Sequence, residues 1–413
     1  MRLPTFDSLV TRSAPTLAVV GLLLGPDAAA QLRVLYSFDE DEGSYPDTDL
    51  VMDAEGHLYG MTVEGGDFGG GTVFELAPTA TGWEHSVLHA FTGGADGGQP
   101  YGGVTLDDQG NLYGTAVVGG SGGVCVEDGC GVVFKLTKSG AGWTHGVIHD
   151  FTGGNDGFGP GGPVSFDAAG NLYGMTPTGG AFGIGIVFQL APQPDGTWTE
   201  SVIHAFTGGE DGGAASAGRL LVDASGTIRG VATVGGAHGA GTVFELAPAP
   251  GGTWTFTTLY AFQGQPDGVF PYGGLVSDAA GSLYGTTYYG GSKGLGVVYR
   301  LSLVNGIWTE SVLHGFAGGR DGASSISGLA LASNGSLFGT SSEGGAGCNC
   351  GTIFELAPQP DGSWKASVAH RFEGSPDGAY PYAGLVADPS GTLYGATVRG
   401  GADDDGTVFG FQP

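Results

Sequence analysis

The residues best equipped for chemistry in this 413-residue chain are acids and aromatic rings that occur once rather than everywhere. Asp39, Asp41 and Glu42 lie near the start, and Asp403, Asp404 and Asp405 near the end. Hard carboxylate oxygens in such numbers could hold Ca2+. No EF-hand spacing is present, so a solvated acidic patch is the plainer alternative. A second set is aromatic: Phe270, Tyr272, Tyr288 and Tyr289, with Tyr45, Tyr101, Tyr380 and Tyr382 as a further group. Exposed rings beside carboxylates are what a sugar site uses, for stacking and for hydroxyl hydrogen bonds. The alternative is that they pack linkers onto the fold.

Other acids and histidines recur too regularly to be a single site. Asp96, Asp156, Asp211, Asp267, Asp321 and Asp377 each precede Gly, with Glu42 in the seventh place. They could ring a channel mouth. An Asx-type turn explains them more simply, with Gly supplying positive φ. His89, His149, His204, His314 and His370 precede a Phe by two residues, and Tyr36 and Tyr260 fill the remaining places. Exchange of His for Tyr suits an aromatic hydrogen-bonding wedge, not a metal ligand or general base. Cys125/Cys130 and Cys348/Cys350 form two close pairs. Disulfides suit them better than zinc, whose finger spacing is absent. There is no nucleophile motif. The Gly-rich stretches lack the Lys-Ser/Thr of a phosphate loop. A paired-carboxylate glycosidase stays open.

The elements that position these residues are set by a repeat. A Leu-Tyr-Gly-like signature begins at Leu58, Leu112, Leu172, Ile228, Leu283, Leu337 and Leu393, at intervals of 54, 60, 56, 55, 54 and 56 residues. A Gly-Gly pair and a Gly-Thr-Val-Phe-like strand follow each time. Four short strands per unit describe a propeller blade. The expected fold is all-β: a seven-bladed β-propeller of four-stranded antiparallel blades, near 49–91, 103–151, 163–206, 219–262, 274–316, 328–372 and 384–411. The last unit lacks its fourth strand. Residues 33–38 match that strand, so the N-terminal strand should complete the last blade and close the ring, which removes open edges. Trp83, Trp143, Trp198, Trp254, Trp308 and Trp364 recur before the fourth strand and read as turn packing.

Residues 1–30 read as a signal peptide: Arg2 and Arg12, an apolar Ala14–Leu24 too short for a span, and Ala28-Ala29-Ala30 before Gln31. The propeller then occupies 31–413. With 86 Gly, 13 basic and 41 acidic residues, the net charge is −28. That argues against nucleic acid, which requires a basic patch. The expectation is a secreted monomer without a membrane span or cofactor, Ca2+ excepted, that binds a glycan or an extracellular protein. The alternative is a carbohydrate-active hydrolase or lyase.

Leu-Tyr-Gly-Thr-like strands, Gly-Thr-Val-Phe-Glu-Leu at 71–76 and 241–246, and Phe-Thr-Gly-Gly-x-Asp-Gly at 91–97 resemble the GloVer tandem-repeat family of choice-of-anchor proteins. The resemblance covers almost all of the mature chain. It implies a bacterial exported protein and carries no settled activity.

Overall fold

The computed structural model describes residues 31–413 apart from 126–128, 141, 216–217 and 346. The signal segment expected at 1–30 lies outside the described residues. Seven antiparallel sheets form a closed ring, and in blades one to six the four blade strands run in chain order from the axis outward. Blade one is typical: Val51–Met52, Leu58–Thr62, Thr72–Pro78 and Trp83–Ala90. Blade seven takes its outermost strand from the other end of the chain. Gln31–Ser37 runs antiparallel to Thr407–Gln412, from Gln31 opposite Gln412 to Ser37 opposite Thr407.

The innermost strands are only two residues long, shorter than the sequence pattern predicts. Blades four and five carry an additional short strand, Gly213–Ala215 and Gly268–Pro271. There the second strand runs on and captures the incoming inter-blade loop. Elsewhere the same contact is a single bridge, as between Ser44 and Glu64 or Ala379 and Arg399. These pairings place the inter-blade loops and the Gly-Gly loops on one face of the ring, the top face.

The Leu-Tyr-Gly signature has a steric cause. Its Gly sits opposite a third-strand aromatic, as Gly114 opposite Phe134. A Cβ on Gly114 would lie 2.5 Å from Phe134 Cζ, and one on Gly60 would lie 2.6 Å from Phe74 Cζ. The missing side chain is a notch that lets the ring lie flat across the neighbouring strand. Into that ring the last Phe of the preceding blade packs edge-on or tilted. Phe38–Phe74, Phe91–Phe134, Phe151–Phe188, Phe206–Phe244, Phe262–Tyr299, Phe316–Phe354 and Phe372–Phe409 have centroids 5.0–5.4 Å apart. Such pairs add about 0.5–1.5 kcal/mol each beyond the area they bury.

The tryptophans also join blades rather than only filling turns. Trp143, Trp198, Trp254 and Trp364 meet Tyr59, Tyr113, Tyr173 and Tyr284 of the preceding blade, and Trp83 meets Tyr394 across the closure, at 5.8–6.1 Å. Each of these tyrosines donates its hydroxyl to the Asp of its own first hairpin, as Tyr113 to Asp107 at 3.2 Å and Tyr284 to Asp278 at 2.8 Å. Blade six has Ala332 in place of the Asp and Phe338 in place of the Tyr, so acceptor and donor are lost together. In six blades the strand-four His or Tyr is likewise tied to the inter-blade acid, as His89–Asp96 at 3.1 Å, His370–Asp377 at 2.9 Å, Tyr260–Asp267 at 2.9 Å, and Tyr36 to Glu42. His149 of blade two is the exception, its Nε2 buried without a hydrogen bond and Asp156 bonded to Thr152 instead. These acids and histidines build turns and blade contacts, as their repetition implies.

Gly114→Ala should cost about 1–3 kcal/mol, the usual penalty for overpacking a filled core. Gly146 lies on an exposed fourth strand, with open space around a Cβ and no positive φ. Gly146→Ala should be neutral or stabilising. Urea unfolding of the two variants checks the contrast.

Candidate ligand-binding site

The top-face loops are held by a repeated left-handed residue. Tyr45, Gln99, Phe270, Ser324 and Tyr380 all have φ between 51° and 58°. The reversal there aims the residue two positions later at the propeller axis. In chain order these axial residues are Asp47, Tyr101, Gly161, Tyr272, Ile326 and Tyr382, and all of them line one cavity. The cavity is a funnel of about 680 Å³ at the top of the central channel. Tyr288 joins the wall from the end of a second strand, and blades three and four contribute only small groups such as Gly159, Gly161, Pro177 and Thr233. The funnel is therefore lopsided, with tyrosines on blades two, five and seven and a low rim between.

Two residues farther along the chain lies the waist of the channel. The seven residues there are Asp49, Gly103, Pro163, Arg219, Gly274, Gly328 and Gly384. Only blades one and four present charge. Arg219 donates to Thr105 Oγ1 at 2.7 Å and to the carbonyls of Val104 and Val164 at 3.1 and 3.2 Å, so it reaches from blade four to blades two and three. Burial lowers its pKa, and the charge of Asp49 opposes that shift. Asp49 Oδ1 accepts the Gly384 N–H at 2.7 Å. Asp49 and Arg219 line a lower cavity of about 470 Å³, and Asp49 also borders the funnel. Asp49 and Gly328 line both cavities, so the two meet at the waist.

Asp47 has a different environment. Burial, together with the nearby Asp49, pushes its carboxyl up to about 7. Burial raises the phenols of Tyr101 and Tyr382 too, and the negative charge of Asp47 adds to both shifts. Asp47 is thus the acid that both tyrosines face.

The structure divides the eight predicted aromatics differently from their grouping in the sequence. Tyr101, Tyr272, Tyr288 and Tyr382 line the funnel. Tyr45 lies under the Arg399 guanidinium, 4.3 Å from its ring centroid. Tyr289 packs against Tyr288 at 4.4 Å and Phe270 at 6.1 Å, and Tyr380 packs on the blade-seven core. Sequence reasoning missed Asp47, Asp49 and Arg219. Superposing the seven repeats two residues before the innermost strand would have exposed the latter two as the only charges in a column of Gly and Pro.

The acidic seam does assemble. Phe38 N donates to Gly406 O at 3.0 Å and Tyr45 N to Asp405 O at 3.0 Å. Asp39, Asp41, Asp403 and Asp404 are exposed. Glu42 is turned inward to Tyr36, and Asp404 meets Arg399 at 3.6 Å. Burial raises Asp405, with Glu40 adding to it. Among the described residues no three His, Cys, Asp or Glu side chains are grouped so that they could hold a metal ion. Cys125–Cys130 and Cys348–Cys350 are disulfide-bonded in the top loops of blades two and six, away from the funnel. Among the described residues no helix is long and apolar enough to cross a membrane.

Residues 20–125, 121–311 and 216–413 match the profile of the Gloeobacter/Verrucomicrobia repeat. The chain belongs to this repeat family. A comparison with curated proteins finds no match. Among solved structures, this member of the Gloeobacter/Verrucomicrobia family is similar to a "putative 6-phosphogluconolactonase" from Bacteroides uniformis. The TM-score is 0.52 at 14% identity, over 83% of this chain and 88% of that one. It is also similar to an ancestral GH74 enzyme, with a TM-score of 0.55 at 11% identity, over 90% of this chain and 47% of the other. At these identities the likeness is one of fold.

The displaced pKa of Asp47 predicts a pH effect. A carboxyl raised from 3.8 to about 7 in the folded state costs nothing below the lower value. Its penalty grows as pH rises between the two values and is complete above the upper one. Asp47→Asn should therefore raise the melting temperature at about pH 8 and leave it unchanged near pH 4. Thermal unfolding across that range reads the difference.

Proposed function

We propose that this protein is an exported binding module whose ligand is a glycan, held in the funnel on the propeller axis. The observation that carries the reading is the funnel itself. It is where the sevenfold repeat is most broken, and the departures are tyrosines and carboxylates. Tyr101, Tyr272, Tyr288 and Tyr382 offer ring faces and hydroxyls to a sugar, and Asp47 offers hydrogen bonds to its hydroxyl groups. Ligand sites commonly combine apolar walls with a few placed polar groups. The leader-like segment 1–30 and the acidic, Lys-poor composition support secretion.

A second reading rests on Asp47. A carboxyl that keeps its proton up to about pH 7 beside another acid is the kind of group a glycosidase uses as general acid. The same funnel would then cleave what it binds.

A glycan array, paired with reducing-sugar release on each polysaccharide that binds, separates the two. Binding without release is the expected result, with affinity lost in Tyr272→Ala and Tyr382→Ala. Release of reducing ends that disappears in Asp47→Asn would move the assignment to a hydrolase. Absence of any glycan ligand would remove both readings.

A further inference from the structure

Asp47 and Asp49 stand two residues apart, yet only one has its charge answered. Asp49 accepts a backbone N–H from Gly384 and faces the Arg219 guanidinium. Among the described residues the Asp47 side chain has no hydrogen-bond donor and no ion-pair partner. None of the described residues lining the funnel is basic. Arg219 is spent on Thr105 and two carbonyls at the waist. An acid set deep in a cavity with no counter-charge is costly unless the occupant supplies one.

The walls point the same way. Tyrosine faces carry negative potential and attract a cation placed over them, more so when it is desolvated. Tyr101 and Tyr382 flank Asp47 from the two adjacent blades, and Tyr272 and Tyr288 face it across the funnel. The net charge of −28 draws cations toward the protein and repels polyanions such as uronate polymers.

We propose that the funnel recognises a cationic amino sugar, its ammonium group seated at Asp47 and its ring against the tyrosine walls. This rests on the glycan reading and narrows it to one charge class. The ammonium would complete the pairing that Asp47 lacks, while the low rim at blades three and four lets the rest of an oligosaccharide leave the funnel.

Calorimetry on the full mature chain tests this with four probes: a fully deacetylated glucosamine oligosaccharide, its N-acetylated counterpart, tetramethylammonium and CaCl2. The deacetylated sugar should bind, and the acetylated one roughly tenfold or more weakly, the value of a charge-assisted hydrogen bond. Asp47→Asn should lose a similar factor, whereas Asp47→Glu, which keeps the charge, should retain binding. Equal binding of both sugars, unaffected by Asp47→Asn, overturns the amino-sugar proposal and leaves the glycan reading standing. Asp47-dependent binding of tetramethylammonium without any sugar overturns the glycan reading and with it the sugar half of the proposal. An Asp47-dependent response to CaCl2 alone overturns the proposal in favour of a metal site. Silence from all four probes overturns the proposal.

Discussion

Everything in this molecule depends on one contact made seven times: the last aromatic ring of one blade driven against the third-strand ring of the next. No blade owns both rings of that pair. A single four-stranded blade leaves both faces of its sheet uncovered, and only its two neighbours can cover them. The Gly notch in the second strand exists to make room for this contact, which is why Leu-Tyr-Gly is the most regular word in the sequence. Around it the same logic is repeated with weaker partners. Trp is set against the Tyr of the preceding blade, that Tyr against its hairpin Asp, and the strand-four His against the inter-blade acid. Burial pushes His85 and His145 down to about 4, so they stack on Tyr36 and His89 as neutral rings.

Because the scaffold is settled between blades, the positions closest to the axis carry little of the packing and are free to differ. The column at the waist can be Gly, Pro, Asp or Arg without disturbing the aromatic ring of contacts. The column above it can be Tyr, Gly, Ile or Asp. Individuality is concentrated where seven repeats of similar sequence converge on one small space, and that is where a ligand can be read by several blades at once.

The blades, their closure by the N-terminal strand and the structural status of the repeated Asp and His residues were legible in the sequence. Each follows from spacing, from strand patterning and from the exchange of equivalent residues. The Asp107–Tyr113 type of bond was half visible: blade six changes both partners together, to Ala332 and Phe338, and only the structure shows why. The axial site was not legible. Asp47, Asp49 and Arg219 are far apart in sequence and unremarkable in composition, and their relation exists only once seven repeats are wrapped around a common axis. The aromatics were seen as a set but not sorted. Tyr45 and Tyr101 look alike in the chain, and the left-handed turn sends one outward and the other into the funnel.

The pairing of Gln31–Ser37 with Thr407–Gln412 also determines how the molecule fails. In an open array of repeats, an end unit can fray by giving up a single interface. A ring has no end unit, so detaching any blade gives up two interfaces, and the closing strand is retained only while its distant partner is in place. Damage anywhere is therefore shared by the whole circle, and the axial cavity persists intact or is lost with the ring.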